Sequence, residues 1–193
     1  MGRSSPRRRP AEPAPAPGDS GPGAGPSSAP SLASATVPRV WQGVGYRPLP
    51  DVVAARPLFD YAALPWPASD RVALAWGAFT GAGAAERLVG AAVGERVERS
   101  ILLHGPVVIE GDDPLEIAAQ LVAAALDHAS ALKTETVFVR PQGLDRVWVR
   151  FGFIPVPEGT LPPAFADRRG GGLYAWRGGS ALWTLREPAR EAF

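Results

Sequence analysis

From about Val40 onward the chain alternates between short apolar runs of two-residue period and one long run of helical period. Residues 41–49 (WQGVGYRPL) mix aromatic and β-branched positions and predict a first strand. Asp51 is placed to cap a helix over Val52, Val53, Ala54 and Ala55, which Pro57 interrupts. The chain turns at Pro65, Trp66 and Pro67. Residues 71–80 (RVALAWGAFT) alternate as a strand does, a turn follows at Gly81 to Gly83, and residues 86–95 (ERLVGAAVGE) read as the antiparallel partner. Residues 95–99 predict a charged turn. Residues 100–110 (SILLHGPVVIE) are almost wholly apolar, as in a central strand buried on both faces. Pro106 cannot donate to a ladder, so pairing must be interrupted there by a bulge or a splay.

The strongest helix comes next. Asp112 or Asp113 caps it, Pro114 sits in its first turn, and Glu116 suits the positive end of the dipole. Leu115, Ala118, Leu121, Val122, Ala125 and Leu126 keep one apolar stripe to about Leu132. Residues 136–140 (TVFVR) predict a short strand closed by Pro141. A second helix carries Leu144, Val147, Trp148 and Phe151 on one side and breaks at Gly152, which suits a left-handed C-cap. Residues 153–156 predict a strand, 157–172 a loop, and 173–176 and 181–186 two closing strands around Gly178 and Gly179. The order predicts an α/β (α+β) domain: a mixed, mostly antiparallel sheet with helices on both faces.

Composition narrows the function. Of 193 residues, 46% are hydrophobic and the net charge is +1, which permits a packed core. Residues 1–38 differ: they are rich in Pro, Ala, Gly and Ser behind Arg3 and Arg7 to Arg9, and predict a disordered tail before a domain over 39–193. Lys133 is the only lysine, so arginine here follows a bias of usage and single arginines carry little functional weight. No cysteine is present and only His104 and His128 are histidines, which argues against disulfides, thiolate chemistry and a metal site. His128, mid-helix after Asp127, is expected on the surface. The balanced charge gives no case for nucleic acid or a membrane surface, and the helix at 117–132 is too short and polar to span a bilayer. The expectation is a soluble, cytoplasmic protein; the oligomeric state stays open.

The element order and the stretch 151–156 (FGFIPV) resemble the GNAT family of N-acetyltransferases, from residue 41 to the C-terminus. The resemblance implies three antiparallel strands, a strand splayed from its neighbour, a long helix, a strand, a short helix ending in Gly-Phe, and a closing hairpin. The splay would fall between residues 100–110 and 136–140, accounting for Pro106. The family holds acetyl-CoA in the splay, with its pyrophosphate on the N-terminus of the long helix. Carried onto this chain, the cofactor-binding positions are Val108, Ile109, Gly111, Asp113, Leu115, Ile117 and Ala118. The family loop usually supplies an Arg or Gln and two small residues, and here its Arg is set against Asp113, its first Gly against Pro114 and its second against Glu116. Pro114 removes a donor, Glu116 adds bulk, and Asp112, Asp113 and Glu116 bring negative charge to a phosphate site. As a plain helix start, the same residues make good sense.

The family's acidic Tyr on the short helix falls at Trp148, and the Asn earlier in that helix falls at Pro141. Tyr174 is the substitute proton donor, unless it serves in packing. To deprotonate an amine, His104, Glu110, Glu86 and Glu95 are candidates. His104 leads by its imidazole and its place before Pro106, although a lone His in an apolar strand is also a common core residue. Two readings stay open. One is an acyl-CoA-dependent N-acetyltransferase using a small-molecule or protein amine and no metal; the other is a GNAT-fold interaction or regulatory module that no longer binds acyl-CoA.

Overall fold

The computed structural model describes residues 31–168 and 182–186. The expected first strand is a hairpin: β1 (Arg39–Trp41) and β2 (Val44–Pro48) are joined by Gln42 and Gly43. Both turn residues have positive φ, 48° and 78°, the geometry that lets a two-residue loop match the twist of its strands. Ahead of it, within the span expected as tail, Ser31 caps a single helical turn, α1 (Leu32–Ala35). Asp51 does cap a short 3-10 turn (Val52–Ala55), accepting from the Val53 N–H. Pro57 opens α2 (Arg56–Tyr61) where it was expected to interrupt a helix, because the first turn has no use for its missing N–H.

β3 (Val72–Thr80), β4 (Arg87–Val97) and β5 (Ser100–Val108) form an antiparallel meander. The charged turn is only Glu98 and Arg99; Glu95, expected where the strand meets the turn, lies inside β4. α3 (Pro114–Ala131) crosses to β6 (Thr136–Val139), which pairs parallel with β5. α4 (Asp145–Arg150), β7 (Ile154–Val156) and β8 (Leu182–Arg186) follow. The strand order is β1-β2-β3-β4-β5-β6-β8-β7, antiparallel at every pair but β5 and β6. The strand expected at 173–176 lies outside the described residues.

One face of the sheet packs on α3 and α4. Leu74, Trp76, Ile101, Leu103, Val137 and Val139 meet the helical stripe around Leu121, Val122 and Ala125. On the other face, Leu58 and Phe59 of α2 cover Ala75, Ala91, Val93 and Val107. Beside them Leu161 and Phe165 cover Leu102, Phe138 and Leu182. Burying each such large apolar side chain contributes about 1.5–3 kcal/mol.

α4 holds its place through Trp148, which is 0% exposed. Its ring lies 5.4 Å from that of Phe153, and its Nε1–H donates to the Pro141 carbonyl at 3.0 Å. Gly152, with φ 78°, turns the chain so that the Phe153 N–H reaches the Trp148 carbonyl. The Gly-Phe ending therefore fixes α4 against the end of β6.

Candidate active site

The sheet opens where β6 ends. The parallel ladder runs from Ser100↔Thr136 to Leu103↔Val139 and stops, while β5 continues to Val108. The cause is local. Ala91 pairs with Val107 and Val93 with His104, so β5 carries one more residue than β4 across this stretch, a bulge at Gly105 and Pro106. Gly105 has φ 82°, and a Cβ there would stand 2.9 Å from the Ala91 carbonyl oxygen, so the bulge requires glycine. The interruption expected from Pro106 is this bulge, with the splay beside it.

His104 is the first residue of β5 beyond the parallel ladder. Its side chain shares a face with Leu102, and so with Glu95, which pairs opposite Leu102. The ring is 6% exposed, and its Nε2 lies 3.3 Å from Oε1 of Glu95, which is 0% exposed. The same oxygen accepts the Ala68 N–H at 2.7 Å. Nε2 faces the carboxylate without the alignment of a completed hydrogen bond.

The other candidate bases are engaged elsewhere. Glu110 lies past the end of β5, 2.7 Å from Arg87 in an exposed ion pair. Glu86 is held by both guanidinium nitrogens of Arg47, which keep its carboxyl below the usual range. Tyr174 lies outside the described residues.

Around the start of α3 the implied cofactor positions divide. Val108 packs against the core, and Ile117 and Ala118 are buried in it. Ile109 and Leu115 are 48% and 46% exposed. Gly111 has φ 140°, and a Cβ there would meet the Ile117 side chain at 2.3 Å, so this glycine lets the loop close onto the helix. Asp113 is the N-cap and accepts the Glu116 N–H at 3.0 Å. Glu116 in turn accepts from Arg150 of α4 at 2.7 Å and from Gln120 at 2.8 Å. Arg150 holds the Glu116 carboxyl below its usual range against the opposing effect of burial. Tyr46 is pushed up to about 12, first by burial and then by the Glu116 charge. Of the first-turn donors, Pro114 has none and the Glu116 N–H is already taken. The helix start is therefore largely satisfied by the protein's own groups.

His128 departs from expectation. It is half-buried and its Nδ1 accepts from the Trp76 Nε1–H at 3.2 Å, with burial lowering its pKa. Two features escaped sequence reasoning: the Glu95–His104 proximity, and the Arg150–Glu116 clamp between α4 and α3. Strand alternation could have placed Glu95 beside His104, had the register of β4 on β5 been fixed by the two-residue turn at Glu98 and Arg99. The cavity of about 360 Å³ beside Thr136, Phe138 and Thr184 lies at the opposite end of β6 and is not part of this site.

No protein-family model matches the chain, and no curated protein matches it. Solved structures do. A GNAT-family acetyltransferase from Staphylococcus aureus Mu50 superposes with a TM-score of 0.51 at 11% identity, covering 75% of this chain and 99% of its own. The N-acetylglutamate synthase of Neisseria gonorrhoeae, solved with coenzyme A and N-acetyl-glutamate, gives 0.54 at 15% identity over 77% of this chain and 35% of its own. The ribosomal-protein-S18-alanine N-acetyltransferase of Escherichia coli gives 0.51 at 15%, over 78% and 96%. The chain has the GNAT fold. At these identities the likeness extends to the fold alone.

Among the described residues, no helix is long and apolar enough to cross a membrane, and no group of three or more His, Asp or Glu side chains is placed to hold a metal ion.

Proposed function

We propose that this chain is an acyl-CoA-dependent N-acyltransferase that moves an acetyl group onto an amine. The observation that carries the proposal is the open β5 edge, which begins at His104, next to a buried carboxylate. An acyl-CoA laid along that edge would present its thioester near the imidazole. The amine nitrogen attacks the carbonyl carbon, the N–C bond forms and the C–S bond breaks. His104 accepts the proton the nitrogen sheds, and the thiolate takes one from water. Such a reaction asks for positioning and one base, and no covalent nucleophile. In this proposal Arg150 is the cation for the pyrophosphate, which must first displace Glu116.

Asp113 favours a second reading. With its carboxylate already on the Glu116 N–H, the helix start is filled as in a module that has given up acyl-CoA. One assay separates the two. Free coenzyme A thiol is followed with a thiol reagent while the full chain turns over acetyl-CoA with a panel of small amines and peptide N-termini. The enzyme reading predicts amine-dependent thiol release that disappears in His104→Gln. No release with any acceptor would contradict it.

A further inference from the structure

We infer that Glu95 is the positioning residue of this site. It holds the His104 ring with its proton on Nε2 and leaves the Nδ1 lone pair to receive the proton of the acceptor amine. The inference rests on the acyltransferase reading above and adds a residue to it.

Glu95 is the one carboxylate among the described residues that is fully enclosed. Burying a carboxylate is unfavourable unless donors face it. Ala68 supplies one through its backbone N–H, and the nearest ring nitrogen is His104 Nε2 at 3.3 Å. The register makes this arrangement deliberate. Val93 pairs with His104 and Glu95 with Leu102, so Glu95 sits diagonally across from His104 on the same face, within reach of a long side chain. Nε2 is enclosed and has no other partner. Nδ1 is not enclosed in this way and makes no hydrogen bond among the described residues.

A neutral imidazole carries one N–H, and the hydrogen bond at one nitrogen decides the tautomer. An anionic carboxylate can only accept, so Nε2 carries the hydrogen and Nδ1 becomes the base. When Nδ1 takes the amine's proton, the imidazolium formed lies beside a negative charge already in place. Glu95 exchanges no proton in this step, so protons balance between the amine and Nδ1 alone.

The test begins with the unaltered full chain, ¹⁵N-labelled, at a pH where the ring is neutral. Long-range ¹H–¹⁵N spectra report the tautomer directly, and the His104 signals are assigned by their loss in His104→Gln. The expected result is the Nε2–H tautomer for His104. In Glu95→Leu that preference is lost, and kcat falls about tenfold or more with KM for the amine little changed. Glu95→Gln, which keeps an acceptor but no charge, falls between the two. A His104 found as Nδ1–H in the unaltered protein, or a Glu95→Leu variant with full kcat, overturns the inference. A protein with the Nε2–H tautomer but no acyl transfer overturns the catalytic role through the parent reading, and leaves Glu95 as a structural partner of His104. A chain that transfers acetyl with the Nδ1–H tautomer overturns the inference alone.

Discussion

The two ends of the splay differ in how their polar groups are satisfied. At the start of α3 the groups answer one another: Asp113 caps Glu116, and Glu116 is gripped by Arg150 and Gln120. At the apex a buried imidazole faces a buried carboxylate and its Nε2 still lacks a completed bond. Unpaired buried polar atoms cost about 1–3 kcal/mol, so folds tend to keep them where function demands it. The proposed reactive end is thus the incompletely paired one, and the proposed cofactor end is filled by the protein's own groups. Substitutions at each end should therefore act in opposite directions on catalysis and binding.

The largest effect belongs to α4, which Trp148 anchors in the core beside the start of α3. Trp148→Ala removes a fully buried ring and strands the Pro141 carbonyl, and should cost about 3–5 kcal/mol of folding stability in urea melts. At the reactive end, His104→Gln should lower kcat about a hundredfold or more while leaving acetyl-CoA affinity near its starting value. At the cofactor end, Glu116→Gln should do the reverse. It frees Arg150 and removes a negative charge, so acetyl-CoA should bind about tenfold tighter by titration calorimetry, an effect of about 1.4 kcal/mol. Because Arg150 already holds Glu116 ionised below its ordinary range, mild acid cannot substitute for this mutation.

Much of this was visible in the residues. Residues 151–156 announced the α4 to β7 junction because a Gly after an apolar helix face has few other uses. Pro106 marked the bulge because a proline inside an apolar strand must break a ladder. The hairpin at Gln42 and Gly43 was hidden, since Gln-Gly is a weak turn signal and the flanking residues read as one strand. Glu95 was hidden for a different reason. It stood where strand and charged turn were expected to meet, and only the register with the partner strand shows a carboxylate buried there beside His104. The Arg150–Glu116 clamp joins residues 34 positions apart, which no local pattern reveals.

The smallest effect concerns His128, behind the sheet and away from both ends. Burial lowers its pKa from an ordinary 6.5, so the folded state holds fewer protons than the unfolded state just below that pH. Its contribution is therefore intact above pH 6.5 and declines as pH falls through that value towards the lowered one. A chemical-denaturation series across this range should show stability falling with acid, and the slope should flatten in His128→Gln. An unchanged slope would remove His128 from the account and leave the splay untouched.

Calorimetric titration of the full chain with acetyl-CoA at low salt decides whether the start of α3 still admits a pyrophosphate. Binding in the micromolar range is expected despite Asp113 and Glu116, because Arg150 is present to exchange partners. Absence of heat at high micromolar protein, in the unaltered chain and in Glu116→Gln alike, would contradict it and leave a GNAT fold without acyl-CoA.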